Sequence, residues 1–269
     1  HYPYNTALAV DGDLMQGWHG WDDYAPFYDW ENDQTVGRQD VPFWVGLADR
    51  VGGPVLELGC GTGRVSLSVA RRVERFVGVD RSEPMLKKLS TRLRDGRLGR
   101  RVSLVQGDIR ALPFRNRCRF KLIMAPYGIL QSLLRDADVR MTLDSVAGLL
   151  PRGGVLGIDL VPDLSRWKEY TRRVSLRGKG PAGGTLKLIE TVRQDRERHL
   201  TIFDQEFVER RGRQLKSHCF SLAFRTLSVP QVSRYLERAG LQIDAVLGDY
   251  QGDAWSPEAD VWIIVARRR

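Results

Sequence analysis

The stretch Val55-Leu56-Glu57-Leu58-Gly59-Cys60-Gly61-Thr62-Gly63, or VLELGCGTG at residues 55–63, decides the fold that this sequence predicts. Its first four residues predict a short buried strand, and its glycines predict a tight turn into a helix. Such a turn is typical of domains that bind a nucleotide or a nucleoside, because Gly59 and Gly61 let the backbone approach a ligand that a Cβ would block. The dinucleotide pattern G-x-G-x-x-G is incomplete, since Arg64 stands where its third glycine would be.

Strand patterns alternate with helical patterns on both sides of this stretch. Further strands are predicted at 75–79, 102–105, 120–124, 155–160, 242–247 and 261–266. Helices are predicted at 41–51, 64–72, 139–150 and 228–239, and another opens at Ser82. This alternation predicts an α/β fold with a doubly wound, mostly parallel sheet of seven strands.

The spacing of the apolar residues changes after Pro162. Three patterns of about ten residues each, at 185–193, 199–209 and 215–225, predict an antiparallel β meander inserted into the α/β domain. Upstream, four of the seven tryptophans lie between residues 18 and 44. The predicted organisation is a flexible arm (1–17), an aromatic lid with helices (18–52), a core (53–162 and 226–269) and an insert that serves as a substrate or oligomer lid (163–225).

The composition is that of an ordinary globular protein, with 269 residues of which 42% are hydrophobic and 28% charged. It excludes collagen-like, fibrous and disordered chains. No apolar run approaches the ~20 residues that span a bilayer, so we expect no membrane partner. Three scattered cysteines are too few for a disulfide framework or a zinc site, so we expect a cytoplasmic protein without a metal.

Three acids stand at the predicted carboxyl ends of three successive strands, namely Glu57, Asp80 and Asp108. Glu57 would accept hydrogen bonds from an ammonium group, and its charge would repel a pyrophosphate. A carboxylate placed like Asp80 binds vicinal ribose hydroxyls. Asp108 would accept a hydrogen bond from the amine of adenine, with the backbone N–H of Ile109 on a ring nitrogen. The ligand that combines adenine, ribose and a charged amino acid is S-adenosylmethionine.

Five motifs follow one another in order: VLELGCGTG at 55–63, VGVD at 77–80, QGDIRALPF at 106–114, FKLIMAPYG at 120–128 and LLPRGGVLGID at 149–159. With them, the chain from about Tyr24 onward resembles the class I S-adenosylmethionine-dependent methyltransferases. The resemblance implies a Rossmann-like methyltransferase fold with a reversed last strand. The segment YAPFYDW at 24–30 and the meander are loosely similar to glycine N-methyltransferase and the amino-sugar N,N-dimethyltransferases.

The resemblance also implies which residues bind S-adenosylmethionine and its product, S-adenosylhomocysteine. Tyr28 would close over the cofactor, and Arg38 would lie against its carboxylate. Arg81 and Met85 would flank the adenine, and Ala125 would line the sulfonium. The full set implied for cofactor binding is Tyr28, Arg38, Glu57, Gly59, Gly61, Asp80, Arg81, Met85, Asp108, Ile109 and Ala125.

Tyr28, Gln131 and Asp159 are the candidates for catalysis. Gln131 stands about where many relatives have a histidine, which puts a histidine base at this position in doubt. Asp159 ends the fifth strand, on the acceptor side, where it could hold a substrate amine. A neutral amine needs no strong base, whereas an alcohol or phenol does. We find no compelling base among the four histidines, which are His1, His19, His199 and His218. We therefore expect a small-molecule acceptor that is methylated on an amine nitrogen rather than on a hydroxyl.

The net charge of +9 favours a rival hypothesis, a nucleic-acid methyltransferase. The 35 arginines outnumber the seven lysines and run along the whole chain, which a generally arginine-rich surface also explains. Ala125-Pro126-Tyr127 lacks both the acid or amide and the second proline of the base-flipping amino-methyltransferases. A nucleic-acid acceptor is therefore disfavoured but stays open. A non-catalytic scaffold is disfavoured by the three intact acids, and assembly as a homodimer is left open.

Overall fold

A seven-stranded sheet forms the centre of the molecule. The computed structural model describes residues 20–35, 37–115, 119–162 and 168–269. Five parallel strands of the sheet come first in the chain: β1 (Val55–Leu58), β2 (Phe76–Asp80), β3 (Val102–Gln106), β4 (Leu122–Ala125) and β5 (Val155–Leu160). Two more strands close it, β10 (Leu241–Leu247) and β11 (Trp262–Arg268). The spatial order is β10-β11-β5-β4-β1-β2-β3.

The last strand runs against its neighbours. β11 is antiparallel to both β5 and β10, whereas β1 to β5 pair in parallel. The predicted mostly parallel sheet with a reversed last strand is therefore confirmed. Because β1 lies between β2 and β4, the carboxyl ends of these strands meet at one edge, where open α/β sheets bind their ligands.

Helices cover both faces of the sheet. They are α2 (Val41–Val51), α3 (Ser66–Val69) and α4 (Glu83–Asp95), with α5 (Asp136–Leu149) and α6 (Val229–Arg238). Strand residues alternate between the faces, so Val55 packs with α2 to α4 and Leu56 packs with α5 and α6. The helix predicted at 64–72 is shorter than expected, because the chain is regular only over Ser66–Val69.

The insert is a sheet of four antiparallel strands rather than three. Its strands are β6 (Tyr170–Lys179), β7 (Thr185–Asp195), β8 (Leu200–Arg211) and β9 (Gln214–Arg225). The sequence did not predict β6, which is an edge strand with mostly exposed side chains. Two register shifts interrupt its pairing with β7, so its apolar residues do not alternate regularly.

Helix α1 (Trp21–Gln34) joins the insert to the core. The ring of Phe27 in α1 stacks on the ring of Phe207 in β8, with the ring centroids 4.6 Å apart. Both side chains belong to an apolar cluster that includes Met85 of α4. The opposite side of α1 contacts the glycine turn through Asp29, which accepts a hydrogen bond of 2.6 Å from the Thr62 hydroxyl. The predicted arm at 1–17, together with Trp18 and His19, lies outside the described residues.

Candidate active site

A cavity of about 460 Å³ opens at the carboxyl edge of the sheet, beneath the N-terminal half of α1. Its volume is in the range of sites that bind small molecules. The wall combines the glycine turn, the ends of β2 and β3, the segment after β4 and the end of β9. The lining residues include Trp21, Tyr28, Gly59, Gly61, Asp80, Arg81, Met85, Asp108, Ile109, Tyr127, Ile129 and Phe224.

The glycine turn supplies a bare backbone wall. Gly59 and Gly61 both have a left-handed backbone, with φ of +65° and +52°. A Cβ at Gly59 would come within 2.5 Å of the Ile129 side chain, so any other residue there would displace the cavity wall. At Gly61 the nearest atom to such a Cβ is on Tyr28, 3.9 Å away, which leaves the turn open towards the cavity.

Asp80 closes β2 and ties the turn to the next helix. Its carboxylate accepts hydrogen bonds from the backbone N–H groups of Gly61 at 2.8 Å and Ser82 at 2.9 Å. Burial raises the pKa of this carboxyl above its ordinary value, and backbone hydrogen bonds from Ser82, Gly61 and Arg81 oppose that rise. These three donors use about three of the roughly four lone-pair sites of the carboxylate, which leaves about one for a ligand hydroxyl.

Asp108 lies at the cavity wall but is already paired. It accepts hydrogen bonds from Arg81 Nη1 at 2.8 Å and from the Arg110 backbone and guanidinium at 2.7–3.1 Å. Burial alone would raise its pKa, but the hydrogen bonds from Arg110 hold it below its ordinary value. An adenine amine would therefore share this carboxylate with two arginines. Ile109 and Met85 supply apolar surface beside it.

Glu57 and Ala125 lie behind the wall rather than on it. Both are buried, and Glu57 accepts a hydrogen bond of 2.6 Å from the Ser66 hydroxyl. Burial raises the pKa of Glu57 to about 8. The cavity surface expected at Ala125 is instead formed by the residues that follow it, Pro126 and Tyr127.

Neither Arg38 nor the nearby Arg64 is among the residues that line the cavity. Arg38 is exposed and donates a 2.9 Å hydrogen bond to the Ser68 hydroxyl. Arg64 instead forms a two-bond ion pair with the fully buried Asp40, and its guanidinium lies 5.1 Å from the centre of the Tyr127 ring. Its Nε is buried without a hydrogen-bond partner. In the sequence, Arg64 was noted only as the residue that replaces the third glycine of the dinucleotide pattern.

Four aromatic side chains line the cavity, and we call the part that they form its aromatic end: Trp21, Tyr28, Tyr127 and Phe224. Burial raises the pKa of the Tyr28 phenol far above its ordinary value. Burial, reinforced by the charge of Glu31, does the same for Tyr127. Both hydroxyls are therefore protonated at neutral pH and act as neutral hydrogen-bonding groups.

Gln131 and Asp159 are buried beside the cavity and are tied to the protein. The Gln131 amide donates to the backbone oxygens of Val161 and Arg225 and accepts from the Val161 N–H at 2.8 Å. Asp159 accepts from the Gly128 N–H and the Tyr250 hydroxyl, each at 2.8 Å. Burial raises the pKa of Asp159 to about 6. The structure brings both residues to the site but gives each a set of internal partners.

No histidine of the described chain lines the cavity. His199 and His218 lie in the four-stranded insert, and the His218 ring packs against Phe27 at 4.9 Å. His1 and His19 lie outside the described residues.

A family model and a curated relative match this chain. Residues 55–154 match the family model described as a methyltransferase domain. A curated relative, the cypemycin N-terminal methyltransferase of Streptomyces sp, is 26% identical over 228 residues, which are 81% of this chain and 84% of that protein. The chain carries a methyltransferase domain that uses S-adenosylmethionine, and it is similar to the class I enzymes.

Two solved structures share the fold of this methyltransferase. The CcbJ methyltransferase of Streptomyces caelestis is 23% identical with a TM-score of 0.76, and the match covers 92% of this chain and 96% of that one. CalS10, an amino pentose methyltransferase of Micromonospora echinaspora solved with S-adenosylmethionine bound, is 18% identical with a TM-score of 0.68. That match covers 97% of this chain and all of the other.

The residues of the methyltransferase fit its cofactor. The open backbone at Gly61 forms a cradle that a side chain would fill, and the Asp80 carboxylate on the cavity wall has capacity left for a ribose hydroxyl. Within the part of the chain that the structure describes, no helix is both long and apolar enough to cross a membrane.

Proposed function

We propose that this methyltransferase transfers the methyl group to an amine nitrogen of a small-molecule acceptor, at the aromatic end of the cavity. The observation that carries the proposal is the chemistry of that end. Rings and protonated phenols line it, and among the described residues no histidine base reaches it. A hydroxyl acceptor would need a base there, whereas a neutral amine brings its own lone pair.

The cofactor supplies an activated methyl group on its sulfonium. The residues of the chain would hold it: Asp80 would accept a ribose hydroxyl, while Ile109 and Met85 would pack against the base beside Asp108. Gly59 and Gly61 would lie against the methionine part, with Glu57 behind them. Tyr28 and Tyr127 are the rings proposed to lie beside the methyl group.

The aromatic end favours a cationic centre. The faces of Trp21, Tyr28 and Tyr127 attract a sulfonium or ammonium by about 0.5–2 kcal/mol each. The same rings would exclude water and orient the acceptor nitrogen towards the methyl group. Proximity and orientation then provide most of the rate enhancement, because no proton has to leave the nitrogen before it attacks.

The names of the similar proteins support an amine acceptor. The curated relative is named as an N-terminal methyltransferase, and one structural neighbour as an amino pentose methyltransferase. Two further neighbours are described as N-methyltransferases, KedS8 of a sugar and MtfA of a glycopeptide.

Matched acceptors test the proposal. Formation of S-adenosylhomocysteine is measured with glucosamine and glucose, benzylamine and benzyl alcohol, and a short peptide with a free or an acetylated N-terminus. We expect turnover of the amine member of at least one pair and none of its partner. Faster turnover of the hydroxyl members, or turnover of RNA with none of the amines, would contradict it.

A further inference from the structure

Two glutamates and a glutamine meet where α1 crosses the insert. The amide nitrogen of Gln205 on β8 donates to Glu31 of α1 at 2.9 Å and to Glu190 of β7 at 3.0 Å. Glu190 and Gln205 are only 8% and 4% exposed. We call these three residues the glutamate cluster.

The glutamate cluster holds two carboxyl groups without a cation, and burial raises the pKa of the Glu31 carboxyl above its ordinary value. Its other hydrogen bonds come from neutral hydroxyls, those of Tyr24 to Glu31 and of Tyr170 and Ser175 to Glu190. Across residues 20–35, 37–115, 119–162 and 168–269, no lysine, arginine or histidine forms an ion pair with either glutamate. Buried carboxylates are ordinarily paired, because an isolated buried charge is costly.

A buried acceptor in the same cluster has no partner at all. The side-chain oxygen of Gln205 is buried and receives no hydrogen bond. The cluster therefore offers three kinds of acceptor oxygen, from Glu31, Glu190 and Gln205, and lacks a positively charged donor. A primary ammonium group supplies one positive charge and three N–H donors.

The glutamate cluster adjoins the aromatic end of the cavity. The Tyr24 ring, whose hydroxyl bonds Glu31, lies 5.4 Å from the ring of Trp21 and 6.0 Å from that of Tyr28. Both of those rings line the cavity. A single aromatic side chain thus separates the cluster from the space proposed for the acceptor.

We propose that the glutamate cluster binds a protonated amino group of the acceptor, and that this group is not the nitrogen that becomes methylated. An amine held between two carboxylates stays protonated, and an ammonium has no lone pair with which to attack a methyl group. The acceptor class is therefore a diamine, with one neutral nitrogen at the rings and one cationic nitrogen at the glutamates. This inference rests on the proposed amine methylation.

Binding of simple diamines tests the inference on the whole chain saturated with S-adenosylhomocysteine. Calorimetry compares the α,ω-diamines from 1,3-diaminopropane to 1,6-diaminohexane with the monoamines and amino alcohols of the same length. We expect at least one diamine to bind about tenfold tighter than its two analogues, the effect of one charge-assisted contact. Glu31→Gln and Glu190→Gln keep the shape but lower the charge, and each should reduce that preference to about twofold or less.

Glu206→Gln is the matched control. Glu206 follows Gln205 on β8 but points to the other face of the sheet, where it accepts a hydrogen bond from Arg172 at 3.1 Å. This variant should keep the full preference for the diamine. If Glu31→Gln does not fold, Glu190→Gln carries the test alone.

Three outcomes would overturn the inference: equal binding of diamines and monoamines, a preference unchanged in both variants, or equal weakening of all three ligand types, which indicates a purely structural cluster. Methyl transfer separates this failure from that of the proposed function. Methylated monoamines without a diamine preference would leave amine methylation standing, whereas exclusive methylation of hydroxyls would refute it.

Discussion

At the scale of single residues, Glu57 is an acid kept in its neutral form by burial. Its only hydrogen-bond donor from the described residues is the Ser66 hydroxyl, and its pKa of about 8 lies above that of an exposed glutamate. Because the pKa is raised in the folded protein, the Glu57 carboxyl of the unfolded protein loses its proton at a lower pH than that of the folded protein. The stability that this group contributes is complete below the unfolded pKa of 4.5 and is lost as the pH rises through 8.

Glu57→Gln should therefore flatten the dependence of stability on pH. Between pH 5 and 8 the unfolding free energy of the wild type should fall relative to the variant by up to about 1.4 kcal/mol per pH unit. Urea unfolding at a series of pH values measures the difference. Glu83→Gln, on an exposed carboxylate paired with Lys87, is the control that should run parallel to the wild type. Parallel curves for Glu57→Gln would show that the carboxyl is ionised in the folded protein.

Gln131 should matter for stability rather than for cofactor binding. Its amide satisfies backbone groups of Val161 and Arg225, so Gln131→Ala leaves buried donors and acceptors unpaired. We expect a loss of about 1–3 kcal/mol in unfolding free energy and a dissociation constant for S-adenosylhomocysteine within about twofold of the wild type. Full stability combined with lost turnover would instead support a catalytic role.

At the scale of elements, one acid of α1 makes several polar contacts with the core. Asp29 accepts hydrogen bonds from Thr62 at 2.6 Å and from Arg92 at 2.8 Å, and Lys88 lies 3.4 Å away. Burial alone would raise the pKa of Asp29, but the hydrogen bonds from Thr62 and Arg92 hold it below its ordinary value. A lid that opens would have to break these contacts and uncover the apolar cluster around Phe207.

Asp29→Asn should loosen α1 over the cavity. Hydrogen exchange in Trp21–Gln34 should become faster, and S-adenosylhomocysteine should bind several-fold more weakly, because Trp21 and Tyr28 form part of the wall. Asp33→Asn, an exposed position on the same helix, is the control. Unchanged exchange in Asp29→Asn would show that the packing of α1 on the insert holds it in place without the acid.

The elements that the sequence could predict are those with a regular apolar period. β5 lies at its predicted residues, and helix α2 begins and ends as expected. β6 was missed because an edge strand with exposed basic residues has no buried face to mark it. Helices were predicted within the aromatic lid at 18–52, but the bounds of α1 were not, because its aromatic residues do not follow one regular helical period.

At the scale of the whole molecule, the predictable half of the site follows from sheet geometry. Asp80 and Asp108 reach one cavity because parallel strands end at the same edge. The Arg64–Asp40 pair and the glutamate cluster could not be read from spacing. Each joins residues from separate elements, and their meeting depends on how α1 and α2 dock against the rest of the chain.

The affinity of Asp80→Ala for S-adenosylhomocysteine tests most directly whether this cavity is the cofactor site. Calorimetry of the wild type should show binding in the micromolar range or tighter. The variant loses a hydrogen bond from a ribose hydroxyl to a charged acceptor, so its dissociation constant should rise by about tenfold or more, with the circular dichroism of the folded protein retained. An unchanged dissociation constant in a folded Asp80→Ala variant would contradict the account.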